Sequence, residues 1–147
     1  MSGAAAAGYS GRALWQKLGL KPGLRILALD PPRDYAELVG LPPGELQRVG
    51  PRAAFDLVHV FASRRNELEA ALQRLSARLP QDGVLWVSWP KKASRVPTDI
   101  SEDAIRELAL PLGLVDIKVC AVDAVWSGLK LVWRREYRAK MQQATAR

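Results

Sequence analysis

The sequence predicts a three-layer, doubly wound α/β domain, with a mainly parallel sheet that ends in a C-terminal antiparallel hairpin. Three observations predict it. Apolar runs of strand length recur at Arg25-Ile-Leu-Ala-Leu29, Phe55-Asp-Leu-Val-His-Val-Phe61 and Val84-Leu-Trp-Val-Ser-Trp89, with helix-like segments between them. Strands that alternate with helices imply right-handed crossovers and a parallel sheet. The last two strands, in contrast, are joined by only a few residues around Asp123-Ala-Val125, too short a link for the crossover that a parallel pair needs. Finally, 147 residues with 48% apolar and 25% charged content suit one ordinary globular domain with a proper core.

The elements follow in order. Ser10 is placed to cap a short helix that ends at Leu18, with Gly19 as its C′ residue. Lys21-Pro22-Gly23 turns into the first strand, Arg25 to Leu29, whose unbroken apolar run suits burial on both faces. Asp34 to Val39 makes a short helix closed by Gly40, and Leu41-Pro42-Pro43-Gly44 is a loop. Glu45 to Val49 reads as a weak strand or connector. After the second strand, Ser63 is placed to cap a helix in which Leu68, Leu72, Leu75 and Leu79 recur at helical intervals and mark one buried face. Pro80-Gln-Asp-Gly83 ends it ahead of the third strand. Ser101, followed by Glu102 and Asp103, opens another helix whose acidic start matches the positive end of its dipole. Ile105, Leu108 and Ala109 give it an inner face, and Pro111 and Gly113 stop it. Val115 to Val122 and Ser127 to Arg134 close the sheet. Residues 1–9 are then a flexible head, 10–135 a single domain and 136–147 a basic C-terminal tail.

The net charge of +7 points to acidic partners and says nothing of fold. Much of it lies in Arg64-Arg65, Lys91-Lys92 and Arg134-Arg135, then Arg138, Lys140 and Arg147, which reads first as a solvated surface with a basic end. Nucleic acid is a possible partner, although no aromatic RNA-binding motif or helix-turn-helix pattern is present. No apolar run approaches the roughly 20 residues of a membrane helix, and Met1 to Gly8 lacks the build of a signal peptide. The single cysteine, Cys120, excludes an internal disulfide and any multi-cysteine metal site. A cytoplasmic protein without membrane contact is expected.

The entry Leu18-Gly-Leu-Lys-Pro-Gly23 and the passage Leu79-Pro-Gln-Asp-Gly-Val-Leu-Trp86, with the strand order, resemble the Rossmann-like fold of the S-adenosylmethionine-dependent methyltransferases. That resemblance implies an acidic residue and a Gly-x-Gly loop after the first strand, and a carboxylate after the second for the ribose hydroxyls. The chain departs at both places: Asp30-Pro31-Pro32 follows the first strand, Val49-Gly-Pro51 ends the weak one, and one βα unit is short. Prolines offer no N–H to a phosphate or carboxylate. Gly8-Tyr-Ser-Gly11, Lys17-Leu-Gly-Leu-Lys-Pro-Gly23, Trp86-Val-Ser-Trp-Pro-Lys-Lys92, Thr98-Asp99, Lys118-Val-Cys-Ala-Val-Asp123 and Trp126-Ser-Gly-Leu129 resemble the bacterial domain of unknown function 3052 family. This implies small single-domain proteins without an established activity.

Ligands of open parallel sheets bind outside the carboxyl ends of the strands. That edge collects Asp30 and Arg33, then Ser63 and Arg64 at a helix N-terminus, then Trp89, Lys91 and Lys92, then Asp123, Trp126 and Ser127. Cations with aromatic surface suit an anionic ligand or an acidic partner. Trp86 and Trp89 point to opposite faces, with Trp86 in the core. Thr98 and Asp99 brace the loop before a helix. His59 and Cys120 lie within strands and read as core residues, not as a nucleophilic pair or a zinc site. The function expected is a non-catalytic module binding an anionic ligand or acidic partner at this edge, with no cofactor, no metal and no catalytic residue. The alternatives are a nucleic-acid-associated protein, or a divergent enzyme of methyltransferase-like fold using Asp30, Asp123 and Lys91 or Lys92 as acid–base groups.

Overall fold

The computed structural model describes residues 12–146, so the head and the Ser10 cap lie outside the described residues. Helix α1 (Leu14–Leu18) ends at Gly19, whose φ of 79° is left-handed, a conformation that costs glycine nothing. Strand β1 (Ile26–Leu29) leads to α2 (Tyr35–Val39), where Asp34 caps the helix by accepting from the Glu37 N–H. The expected weak strand is reduced to one bridge between Ile26 and Arg48. Its neighbourhood explains this: a 3-10 turn at Pro43–Glu45 precedes it and Gly50-Pro51 follows, and proline has no N–H to donate to a ladder.

Strand β2 (Leu57–Phe61), helix α3 (Arg65–Ser76) and strand β3 (Val84–Pro90) follow, then α4 (Glu102–Ala109), β4 (Leu114–Ala121), β5 (Trp126–Trp133) and α5 (Arg135–Ala146). The sheet order is β1-β2-β3-β5-β4. β1, β2 and β3 are parallel, and β5 runs antiparallel to both β3 and β4. β4 therefore points the same way as the first three strands. The chain skips one position after β3 and returns to fill it with β5. The hairpin that sequence spacing predicts is present, but β5 is interior and β4 is the edge. The open edge on this side of the sheet is thus β4, where Ile117 and Val119 are more than half exposed.

Alternation along the strands divides the core between the two faces of the sheet. Leu27, Val58, Val60, Leu85 and Val87 pack with Leu68, Leu72 and Leu75 of α3 and Ile105 of α4. Ile26, Leu57, Phe61 and Trp86 pack with Leu18, Tyr35 and Val39 on the other side. Buried indoles are satisfied: Trp86 Nε1 donates to the Leu18 carbonyl at 3.0 Å and Trp133 Nε1 to that of Leu79 at 3.1 Å. Residues expected as a basic tail continue instead as α5, which sets Tyr137 and Met141 against the core. Arg25 clamps Asp56 through its Nε, its Nη2 and its backbone N–H, fixing the starts of β1 and β2. No helix among the described residues is long and apolar enough to cross a membrane.

Candidate functional site

Four strands end on one edge of the sheet and β5 begins there. Among the described residues the expected rim carries two clefts. The first, of about 650 Å³, lies over the ends of β1 and β2 and the start of β5. Leu29, Val60 and Ala62 form its apolar surface, Phe61 and Trp126 its aromatic wall, and Asp30, Glu67 and Arg74 its charged groups. Asp30 adopts a φ of 56°. The left-handed region is uncommon for a side-chain-bearing residue, though Asp tolerates it better than most, and a residue before proline ordinarily prefers extended backbone. The turn thus holds Asp30 exposed at the mouth of the cleft.

Trp126 meets Phe61 edge-on, with centroids 5.4 Å apart. Phe61 stacks on His59 at 4.2 Å, and His59 meets Tyr35 edge-on at 5.5 Å. Residues 59 and 61 share a sheet face because they are two apart. The aromatic wall therefore continues into the core. There His59 Nδ1 lies 2.8 Å from the Tyr35 hydroxyl and His59 Nε2 2.6 Å from Ser88 Oγ. Burial without a carboxylate lowers the His59 pKa from 6.5 to about 3 and raises that of Tyr35. The imidazole is neutral, with both nitrogens engaged, as expected for a core histidine. Cys120 is half-buried, and burial pushes its thiol up despite Lys17 and Lys118 nearby, the opposite of a reactive thiolate.

The second cleft, of about 690 Å³, lies at the end of β3 against α4. Trp89, Lys91 and Lys92 line it, but so do Asp99, Glu102 and Asp103. The lysines therefore face acidic residues. Trp89 is 7% exposed and shows only an edge. The Lys91 N–H donates to the Val125 carbonyl at 2.7 Å, so its backbone extends the sheet.

The remaining rim residues lie elsewhere. Arg33 pairs with Glu37 at 3.1 Å, and neither it nor Arg64 lines either cleft. Asp123 is a positioning residue: its Oδ1 accepts from the N–H groups of Val125 and Trp126, both at 2.8 Å, and so aims the indole. Ser63 does not cap α3. Asp99 Oδ1 accepts from the Arg65 N–H, while the Thr98 hydroxyl donates to the Ser63 carbonyl at 2.7 Å. The helix end expected to attract an external anion already holds an internal one. Sequence reading missed Phe61, Glu67 and Arg74 at the first cleft. Their signal is spacing, since Glu67 and Arg74 are seven apart on α3 and share a face. The acid–base set of Asp30, Asp123 and the lysines is not assembled in one cleft. Among the described residues no three His, Cys, Asp or Glu side chains gather as a metal site would require.

No family model matches the chain, and no curated protein matches it. Solved structures do. A methyltransferase from Aquifex aeolicus, described as S-adenosylmethionine-dependent, is 11% identical with a TM-score of 0.56, covering 88% of this chain and 93% of that one. A TehB-like S-adenosylmethionine-dependent methyltransferase from Corynebacterium glutamicum is 15% identical with a TM-score of 0.52, covering 89% and 91%. The ribosomal protein L11 methylase of Lactobacillus delbrueckii subsp. bulgaricus is 13% identical with a TM-score of 0.52, covering 82% and 74%. At these identities the likeness is one of fold, and it corrects the expected function. The three solved chains are described as methyltransferases or a methylase, a finding that runs against the expected non-catalytic module. The fold this chain adopts is a mixed, mainly parallel five-stranded sheet of the methyltransferase-like kind.

Proposed function

We propose that this chain is a divergent enzyme of methyltransferase-like fold that takes a small ligand with a flat ring and a polar or cationic group in the first cleft. The observation that carries this reading is the composition of that cleft. An edge-to-face pair, Phe61 and Trp126, stands beside an apolar surface, with Asp30 held at the mouth and Glu67 and Arg74 on the facing helix. Aromatic faces suit a ring or a cation, and a few convergent polar groups orient it. Asp30 is the group positioned to accept a proton or a hydrogen bond from such a ligand.

S-adenosylmethionine is what the fold implies, and the residues do not fit its usual grip. Pro31 and Pro32 supply no N–H where a glycine loop would. Asp34 already accepts from the Glu37 N–H in the first turn of α2. The bridge beside β1 runs into Val49-Gly50-Pro51 without a carboxylate. The sequence blocks support membership of the domain of unknown function 3052 family, the two core clusters support a three-layer arrangement, and the lone cysteine supports a cytoplasmic location.

A thermal-stability screen of the full chain against adenosine, S-adenosylmethionine, S-adenosylhomocysteine and nucleoside phosphates tests the reading. A ligand at a hundredfold over its Kd adds about 2.7 kcal/mol. The effect should vanish in Trp126→Ala and weaken in Asp30→Asn. A panel without any stabiliser, or a stabilisation that survives Trp126→Ala, overturns it.

A further inference from the structure

On the β4–β5 ladder Lys118 lies directly opposite Lys130, and Lys130 in turn lies opposite Trp86 of β3. Gly128 packs against Trp86 and the Cys120 sulfur, so the even-numbered residues here share the face covered by α1. Lys118 Nζ reaches the Lys17 carbonyl at the end of α1 at 3.5 Å, and Lys17 occupies the last turn of that helix. The Cys120 thiol on this face feels the charges of both Lys17 and Lys118, so three ammonium-bearing side chains gather between α1 and the β4–β5 pair.

Like charges directly opposite one another destabilise a sheet, and Lys130 is half-buried, which burial and Lys118 both penalise. Five arginines elsewhere, Arg25, Arg33, Arg65, Arg106 and Arg134, each pair with a carboxylate. Among the described residues neither Lys118 nor Lys130 makes such a pair.

We propose that Lys17, Lys118 and Lys130 bind a phosphate group, at a site separate from the clefts at the strand ends. A phosphate oxyanion accepts from several ammonium groups at once and turns their repulsion into attraction. Partial burial of Lys130 reduces the screening of that attraction. The phosphate belongs either to a small phosphate ester or to a nucleic-acid backbone, and the chemistry at the lysines is the same.

Melting of the full chain at low ionic strength, with pyrophosphate or a short single-stranded RNA at equal phosphate concentration, tests the site. At least one should raise Tm. In the double variant Lys118→Gln, Lys130→Met the shift should disappear, with affinity down about tenfold or more for each charge-assisted bond lost. The ligand-free variant should melt no lower than the parent, because it has lost an opposed pair. Lys91→Gln with Lys92→Gln should keep the shift. A larger effect of RNA assigns the phosphate to nucleic acid, and an equal or smaller one assigns it to a small ester. If Lys130→Met fails to fold, the exposed Lys118→Gln alone decides by its weakened shift. Absence of any shift with either probe, or an undiminished shift in a folded variant, overturns the proposal.

Discussion

The carboxylate of Asp99 accepts a hydrogen bond from the backbone N–H of Arg65 at 2.6 Å, so a loop residue caps a helix that began 34 positions earlier. Thr98 reinforces the junction through the Ser63 carbonyl. Replacing Asp99 by alanine should cost about 1 kcal/mol, the ordinary loss of a helix cap, and Asp99→Asn should recover much of it. Urea denaturation checks this. Equal stability of Asp99→Ala and the parent would show that the cap contributes nothing.

Arg25 and Asp56 carry an acid-dependent part of the stability. The Arg25 guanidinium and N–H hold the Asp56 pKa down from 3.8 to about 2. A carboxylate with a depressed folded pKa contributes stability that is present above its unfolded value and lost as pH falls through the folded one. The loss should therefore fall between about pH 4 and pH 2. Because both side chains are about a third or more exposed, screening by solvent keeps its size small. Asp56→Asn should flatten this part of the stability–pH curve, as measured by denaturant titrations across that range.

His59 acts over a different window. Its folded pKa of about 3 lies below the ordinary 6.5, so below pH 6.5 the unfolded chain binds a proton that the folded chain refuses. Stability should fall as pH drops from 6.5 toward 3. The imidazole resonances of the folded protein should not titrate between pH 8 and pH 5, about the range over which a free histidine changes charge. A midpoint near the free value in a nuclear magnetic resonance titration would refute the sealed network with Tyr35 and Ser88.

Gly113 ties α5 to the rest. Its φ is 95°, and a Cβ there would sit 2.6 Å from the Tyr137 ring. Gly113→Ala should cost on the order of 1–3 kcal/mol through backbone strain and overpacking. Hydrogen exchange along α5 should accelerate more than in β1 to β3. Uniform acceleration over the whole chain would contradict a local effect on docking.

The strands and main helices were legible because their signals are local. Alternation and intervals of three and four place Leu68, Leu72 and Leu75 on one face whatever surrounds them. The missed features join distant segments. No local signal places Asp99 at the start of α3, and Ser63 is a plausible cap until Thr98 takes its carbonyl. α5 reads as a polar tail because its two core contacts, Tyr137 and Met141, are sparse in a basic run.

From sequence alone, this chain had a parallel sheet with a closing hairpin, a junction at Pro31-Pro32 without backbone donors, and a list of groups at one sheet edge. Those depend on residue type and spacing. The tertiary structure decided that β5 fills the gap between β3 and β4, that the edge carries two clefts among the described residues, and that Lys118 faces Lys130. Register and strand order emerge from packing two apolar faces at once, and they alone set which charges end up as neighbours.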